Sequence, residues 1–240
     1  MSLPYFFVES LEDPEVQLSA ADTRHALRSL RLRSGDEVTL ADGRGAVAAG
    51  RLVRATDRDS VVQVESTRRV MRPRPLVSVA LSPPKGDRLA WAVQKLAELG
   101  VDEVVLIQTD RSVRSWEAER LGRAVDRFRA VAREAAMQSR QPFVMELAAG
   151  GTLGDALDTG AGPVVVLWEG GTERLGGVLP PEPRQVRLVV GPEGGLSEEE
   201  VADSRRAGAL VANLGQNVLR TETASIVGAA LVLARYGRLG

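Results

Sequence analysis

Cysteine is absent from the 240 residues, and histidine occurs once, as His25. Disulfides and thiolate chemistry are therefore excluded, and a structural zinc site would lack its usual ligands. No apolar run approaches the roughly 20 residues that a membrane-spanning helix requires; the longest runs from Ile226 to Ala234. Met1 to Tyr5 carry no basic stretch of the kind that opens a secretory signal. A strong charge of either sign is also missing. The 31 Lys and Arg against 32 Asp and Glu leave −1, which excludes indiscriminate coating of nucleic acid. These absences predict a cytoplasmic protein without metal or membrane.

What is present points to a packed globular chain, since 44% of residues are hydrophobic and 26% charged. The length suits a small domain joined to a medium one. Charge is uneven locally: Arg24, Arg28, Arg31 and Arg33 follow one another with no acid between, and residues 111 to 140 hold eight arginines against four acids. Such runs are most often solvated faces, and only their location can make them phosphate contacts.

Short apolar stretches between Val38 and Val64, punctuated by Asp42-Gly43, Gly45, Gly50 and Asp57, predict a small β-barrel or meander. Arg72-Pro-Arg-Pro75 breaks any regular element, so the expected domains are 1–72 and 73–240. Beyond the break, strands alternate with helices: Leu76–Ser82, a helix from about Arg88 to Leu99, Val104–Gln108, and a long helix within 117 to 139. Leu89, Ala92, Val93, Leu96 and Leu99 recur at helical spacing, and Gly100 is a natural stop. Pro163–Trp168, Val186–Gly191 and Ala209–Leu214 are nearly continuous in hydrophobes, as expected of parallel strands covered on both faces. Ligands of such sheets sit at the carboxyl ends of the strands, where Glu169-Gly-Gly171, Gly191-Pro-Glu-Gly-Gly195 and Gly215 onward are found.

Ser197 and Glu200 have capping-box spacing, so a helix begins near Glu198 with the glycines in the turn before it. Acids at that helix start disfavour a phosphate there and favour a neutral or cationic ligand. Arg220-Thr-Glu-Thr-Ala224 opens the last helix, whose apolar stripe is Ile226, Val227, Ala230, Leu231 and Ala234, and Thr221 or Thr223 can cap it. An arginine beside the positive end of a helix dipole serves no structural need, so Arg220 is expected to face a ligand or substrate.

Val190-Gly-Pro-Glu-Gly-Gly-Leu196 and Leu219-Arg-Thr-Glu-Thr-Ala224, with Lys85-Gly-Asp-Arg88, Lys95-Leu-Ala-Glu-Leu-Gly100 and Glu134-Ala-Ala-Met-Gln-Ser139, together resemble the RsmE family of 16S ribosomal RNA uracil-N3 methyltransferases. The stretch from His25 to Asp36, with Leu30-Arg31 and Gly35-Asp36, is similar to the family's N-terminal segment. The likeness covers nearly the whole chain. It departs at Tyr5, where many members have arginine, and at Met137, where an acidic residue is common.

The resemblance implies an α/β architecture: a small N-terminal PUA-like β-barrel that binds RNA, then a SPOUT methyltransferase domain with a C-terminal trefoil knot, working as a homodimer. Strand patterns do not reveal a knot, and general connection rules argue against one. It also implies S-adenosyl-L-methionine as cofactor, held by three loops. The first loop is Trp168, Glu169 and Gly170; the second is Gly191, Pro192, Glu193, Gly194 and Gly195. The third contributes Leu214, Gly215, Val218, Leu219, Arg220, Thr221, Thr223 and Ala224. The substrate would be 16S ribosomal RNA in the assembled small subunit. Arg220 is the candidate to stabilise charge on the uracil, and Glu222 or Glu193 to accept its proton, although a carboxylate at a helix start also serves as cap or anchor. Arg28, Arg31, Arg33, Lys85 and Arg88 are the candidate RNA contacts. Ribose 2′-O or N1-guanine methylation by the same fold, and a non-catalytic RNA-binding assembly factor, are the alternatives. A Rossmann nucleotide site is disfavoured because G-x-G-x-x-G is missing from the first βα turn.

Overall fold

The computed structural model describes residues 3–56, 59–112, 118–158, 160 and 162–239, with side chains throughout except at 118–121. Met1, Asp57, Arg114 and Glu117 lie outside the described residues, as do the side chains of Glu119 and Arg120. The chain divides into two compact units, Met1–Arg72 with Ala136–Val144, and Pro73–Ala135 with Met145–Gly240. The short excursion 136–144, which sequence alone assigns to the second domain, packs in the first unit.

In the first unit, β1 (Tyr5–Phe7), β2 (Glu15–Gln17), α1 (Ala20–Arg24), a π-helical turn (His25–Ser29), β3 (Glu37–Ala41), β4 (Ala46–Ala55) and β5 (Ser60–Arg69) follow in order. The sheet runs β1-β3-β4-β5-β2, with β1 parallel to β3 and the other pairs antiparallel. β1 and β2 are its two edges, so the strands form a half-open mixed sheet. Register shifts at Ala49/Gly50 and Leu52/Arg54 mark bulges in β4, which sharpen local twist. Phe6, Val38, Leu40, Leu52 and Val62 are fully buried on the inner face. Met137 packs against that cluster, which gives an apolar side chain at this position a structural reason. Ser19 caps α1 by accepting the Asp22 N–H, a short polar cap before a helix.

The second unit is a seven-stranded parallel sheet in the order β10-β12-β9-β11-β6-β7-β8. Its elements are β6 (Leu76–Leu81), α2 (Arg88–Leu99), β7 (Glu103–Gln108), α3 (Ala118–Gln138), β8 (Glu146–Thr152), α4 (Leu153–Leu157), β9 (Val164–Leu167), β10 (Glu173–Arg174), α5 (Leu175–Val178), β11 (Gln185–Val190), α6 (Glu198–Arg206), β12 (Leu210–Asn213) and α7 (Thr221–Arg235). The strands expected from their hydrophobic runs appear within a residue or two of the expected ends. β8 has no such signal, because Ala and Gly dominate it and neither favours strands. On α2, Leu89, Ala92, Val93 and Leu96 are buried. Gly100 ends that helix in the left-handed region at φ 80°, where glycine carries no steric cost. Arg238 closes the unit: its guanidinium meets Asp102 at 2.6 Å and donates to the carbonyls of Pro75 and Gly100, while Asp102 also accepts the Val77 N–H.

Burial pushes the Tyr5 phenol up to about 12, and its O–H donates to the Gln141 carbonyl at 3.0 Å. A phenol pKa raised by folding gives stability that is complete below the unfolded value near 10 and is lost as pH climbs through about 12. Tyr5→Phe should therefore be less stable than the parent at pH 8 by roughly 1 kcal/mol, the worth of one hydrogen bond, and the gap should close in urea titrations between pH 10 and 12. A gap independent of pH would contradict this coupling.

Candidate active site

The site follows from three neighbouring apolar strands. β9 lies between β12 and β11, and Leu167 pairs in register with Ala212 on one side and Val190 on the other. The next residues of each chain segment leave the sheet together, so three loops start from one edge. Their backbones are tied by side chains. Asn213 donates its amide to the Gly171 carbonyl at 2.6 Å and accepts the Gly215 N–H at 3.0 Å, joining the loops after β9 and β12. Thr221 donates its hydroxyl to the Gly191 carbonyl at 3.0 Å, joining α7 to the loop after β11.

Between these loops lies a cleft whose walls include Trp168, Glu169, Gly191, Pro192 and Gly195 from the first two loops, and Leu214, Gly215, Val218, Leu219, Thr221 and Ala224 from the third. Eleven of the expected cofactor residues are thus brought together. Glu193, Gly194, Gly170, Arg220 and Thr223 do not line it. Gly170 instead seats the Trp168 indole, since a Cβ there would fall 2.6 Å from the ring. Gly195 has φ +71° and faces the Glu169 carboxylate, 3.3 Å from where a Cβ would stand. Only glycine suits both conditions.

Sequence reasoning missed Leu167, Val190, Leu196, Asn213 and Asn217, which also line the cleft. The aliphatic ones are indistinguishable in sequence from any core residue. Asn213 had a usable signal, as an amide at a strand's carboxyl end two residues before a glycine.

The cleft's electrostatics are selective. Glu169 is exposed, its carboxylate has no hydrogen-bond or ion partner among the described residues, and no lining residue is lysine or arginine. A phosphate would find no cation here, whereas a neutral or positively charged ligand would meet one carboxylate and apolar walls. The helix on the second loop confirms the capping box: Ser197 accepts the Glu200 N–H, and Glu200 accepts the Ser197 N–H. The other Glu200 oxygen accepts the Asp110 N–H, so this acid is consumed structurally. α7 is different. Its N-cap is Arg220, which makes no capping bond, and Thr221, expected as a possible cap, spends its hydroxyl on Gly191.

A second group of charges is drawn from α7, the start of α2, the loop before it and the loop after β11. Arg88 lies 3.6 Å from Glu193 and 3.6 Å from Glu222, and the Lys85 N–H donates to Glu193 at 2.9 Å. Arg88 is therefore engaged by two carboxylates, not poised alone for phosphate, while the Lys85 side chain is exposed. Glu222 is only 6% exposed, and its Oε2 has no hydrogen-bond partner. The Arg220 side chain is exposed and forms no ion pair or hydrogen bond among the described residues, while its carbonyl accepts the Ala224 N–H at 2.7 Å. Arg111 donates to the Gly194 carbonyl at 3.0 Å, steadying the second loop. Arg28, Arg31 and Arg33 belong to the first unit, where all three are exposed.

Comparison with known proteins adds the chemistry of relatives. A family profile described as RNA methyltransferase domain matches residues 72–233, and one described as RNA methyltransferase PUA domain matches 18–65. Ribosomal RNA small subunit methyltransferase E of Mycobacterium tuberculosis is 33% identical over 92% of this chain and 88% of its own. The protein of that name from Bacillus subtilis is 28% identical over 90% and 88%. Among solved structures, a methyltransferase of Legionella pneumophila with bound cofactor SAM superposes with TM-score 0.88 at 26% identity, covering 98% of both chains. Ribosomal RNA small subunit methyltransferase E of Neisseria gonorrhoeae bound to S-adenosyl methionine gives 0.87 at 25%, again covering 98% of both.

Thr221 is 4% exposed, so Thr221→Val should leave the Gly191 carbonyl without its donor. The expected loss is about 1–3 kcal/mol, read from urea unfolding. An unchanged midpoint would show that the loops are held by other means.

Proposed function

Belonging to the ribosomal RNA small subunit methyltransferase E family, the chain is an S-adenosylmethionine-dependent ribosomal RNA methyltransferase, and we propose that its acceptor is N3 of a uridine in 16S ribosomal RNA. The observation that carries this reading is the three-loop cleft with one free carboxylate and no cation, set beside a free arginine and a buried carboxylate oxygen on the same helix. The donor set fits the cofactor. Backbone groups of the glycine loops and the uncapped start of α7 offer hydrogen bonds, the aliphatic walls suit an adenine ring, and Glu169 complements positive charge. When bound, S-adenosylmethionine supplies an electrophilic methyl group on a sulfonium sulfur.

The residues of the chain then have a defined task. Uridine N3 is a weak acid that must shed its proton before its lone pair attacks. Glu222 Oε2, buried and unpartnered, is the acceptor for that proton. Arg88 faces the other oxygen, Oε1, and fixes the carboxylate's orientation. Glu193, held by the Lys85 N–H and Arg88, anchors the second loop. Arg220 places its unpaired guanidinium against the negative charge that develops on the uracil oxygens, where a preorganised donor counts most. The N3 edge is hidden in a paired helix, so the target nucleotide is unpaired or flipped. Arg28, Arg31, Arg33 and Lys85 are assigned to the RNA phosphates.

The reading places the enzyme in the cytoplasm, acting on the assembled small subunit as a homodimer. No helix among the described residues is long and apolar enough to cross a membrane. Trp91 on α2 and Leu231 on α7 are large apolar side chains left 48% and 47% exposed, which supports burial of these helices against a second copy. The α7 segment after β12 is assigned as the part that threads the trefoil knot.

Purified protein given labelled S-adenosylmethionine and unmodified small subunits should yield 3-methyluridine on nucleoside analysis. A 2′-O-methylated nucleoside or N1-methylguanosine would replace the acceptor assignment. Arg220→Ala should bind the cofactor within a few-fold of the parent and turn over about 100-fold more slowly or worse; normal single-turnover methylation would remove Arg220 from the chemistry.

A further inference from the structure

The first unit carries a groove of its own, distinct in composition from the cleft in the second. Its walls are Tyr5 of β1, His25 and Leu30 around the π-helical turn, Leu32, and Met137 and Gln138 at the end of α3. All belong to one compact unit, because residues 136–144 fold into it. The Tyr5 ring is set by an edge-on contact with Phe7 at 5.7 Å and by the bond from its hydroxyl to Gln141. Met137 is fixed by packing on the core of the unit. Leu30 remains 41% exposed.

The polar groups of the groove divide into spent and unspent. Arg51 is spent on Glu37, Glu65 and the Gly35 carbonyl. Asp36 accepts the Arg33 N–H, and Arg140 donates to the Leu3 carbonyl. The Gln138 amide and the His25 imidazole are unspent: both residues are exposed, and neither side chain has a hydrogen-bond partner among the described residues. Around them Arg28, Arg31 and Arg33 alternate in sequence with the lining residues Leu30 and Leu32, and all three guanidinium groups point to solvent as exposed side chains. Arg31 holds φ +57°, an uncommon conformation for a non-glycine residue that usually reflects a local demand.

A ligand matching this pattern has a flat apolar face, an edge bearing both donors and acceptors, and an attached negative charge. A nucleotide with its base unstacked meets all three requirements, since single-stranded RNA is read by stacking and by base-edge hydrogen bonds while arginines take the phosphates. An amide is suited to a base edge because it donates and accepts at once. We infer that this groove is a nucleobase-reading site for an unpaired nucleotide of the substrate RNA, separate from the uridine that is methylated, with Gln138 and His25 on the base edge and Leu30 against its face. The inference rests on the RNA-methyltransferase reading above, and it assigns sequence discrimination to the first unit.

The test compares Gln138→Ala and His25→Ala with the double variant Arg31→Ala/Arg33→Ala in titrations of fluorescently labelled protein with unmodified small ribosomal subunits across a salt series. Phosphate contacts contribute about one unit each to the slope of log affinity against log salt, whereas base-edge contacts contribute none. Gln138→Ala and His25→Ala are expected to bind about tenfold more weakly with an unchanged slope, and the arginine pair to lower the slope by about two. Unchanged affinity in Gln138→Ala and His25→Ala overturns the site, as does a loss of affinity that comes with a changed slope. Both side chains are exposed and make no hydrogen bond among the described residues, but the His25 ring also meets the buried Phe6 ring edge-on at 6.5 Å, so unfolding midpoints matching the parent are needed to separate a binding defect from misfolding. If the parent binds the small subunits with the expected dependence on Gln138 but forms no 3-methyluridine on them, the acceptor assignment fails and the groove stands. If methylation proceeds normally and Gln138 has no effect, the groove alone fails.

Discussion

The bond from Thr221 to the Gly191 carbonyl, with the two bonds made by Asn213, is the constraint on which the cleft depends. Three adjacent parallel strands end together, and at that edge each loses its ladder of hydrogen bonds at once. Buried or half-buried backbone groups must then find partners elsewhere. Asn213 and Thr221 supply them from within the loops themselves. The same bonds that satisfy the backbone therefore set the spacing of the walls, and the glycines are needed because the loops approach one another more closely than side chains would allow.

Charge is distributed to match. The cleft keeps one unpartnered carboxylate and no cation, while on the first unit the exposed guanidinium groups of Arg28, Arg31 and Arg33 have no hydrogen-bond or ion partner among the described residues. A chain with net charge near zero thus contains regions of opposite character, a cleft with a lone carboxylate and a run of arginines with partnerless guanidinium groups on the first unit. Net charge described neither region. Between them in character stands the Arg88 pair of contacts, where a cation faces two carboxylates and leaves Glu222 Oε2 without a partner. An unsatisfied buried oxygen costs about 1–3 kcal/mol, and the proton-accepting role proposed for Glu222 gives this one a reason to persist.

Periodicity and punctuation carried most of the architecture. The near-continuous apolar runs of β9, β11 and β12 announced parallel strands, Gly100 announced the end of α2, and Ser197 with Glu200 announced the start of α6. β8 was silent because its alanines and glycines have little strand preference. Residues 136–144 were misplaced because α3 continues unbroken from one unit into the other, and a helix carries no sequence mark where its packing partner changes.

The sequence by itself determined the element order, the glycine loops at strand ends and the family likeness, because each of these is written in local spacing. Tertiary structure alone decided which side chains are free. Arg88 and Arg220 are the same residue type near similar loops, yet one faces two carboxylates and the other has no partner. Glu193 and Glu222 likewise divide into an anchored acid and one with an open oxygen. Those differences depend on groups far apart in the chain, such as Lys85 and Glu193, that approach only when β6 and β11 pair. Partnership of a charge is a property of three-dimensional neighbours, and no local pattern encodes it.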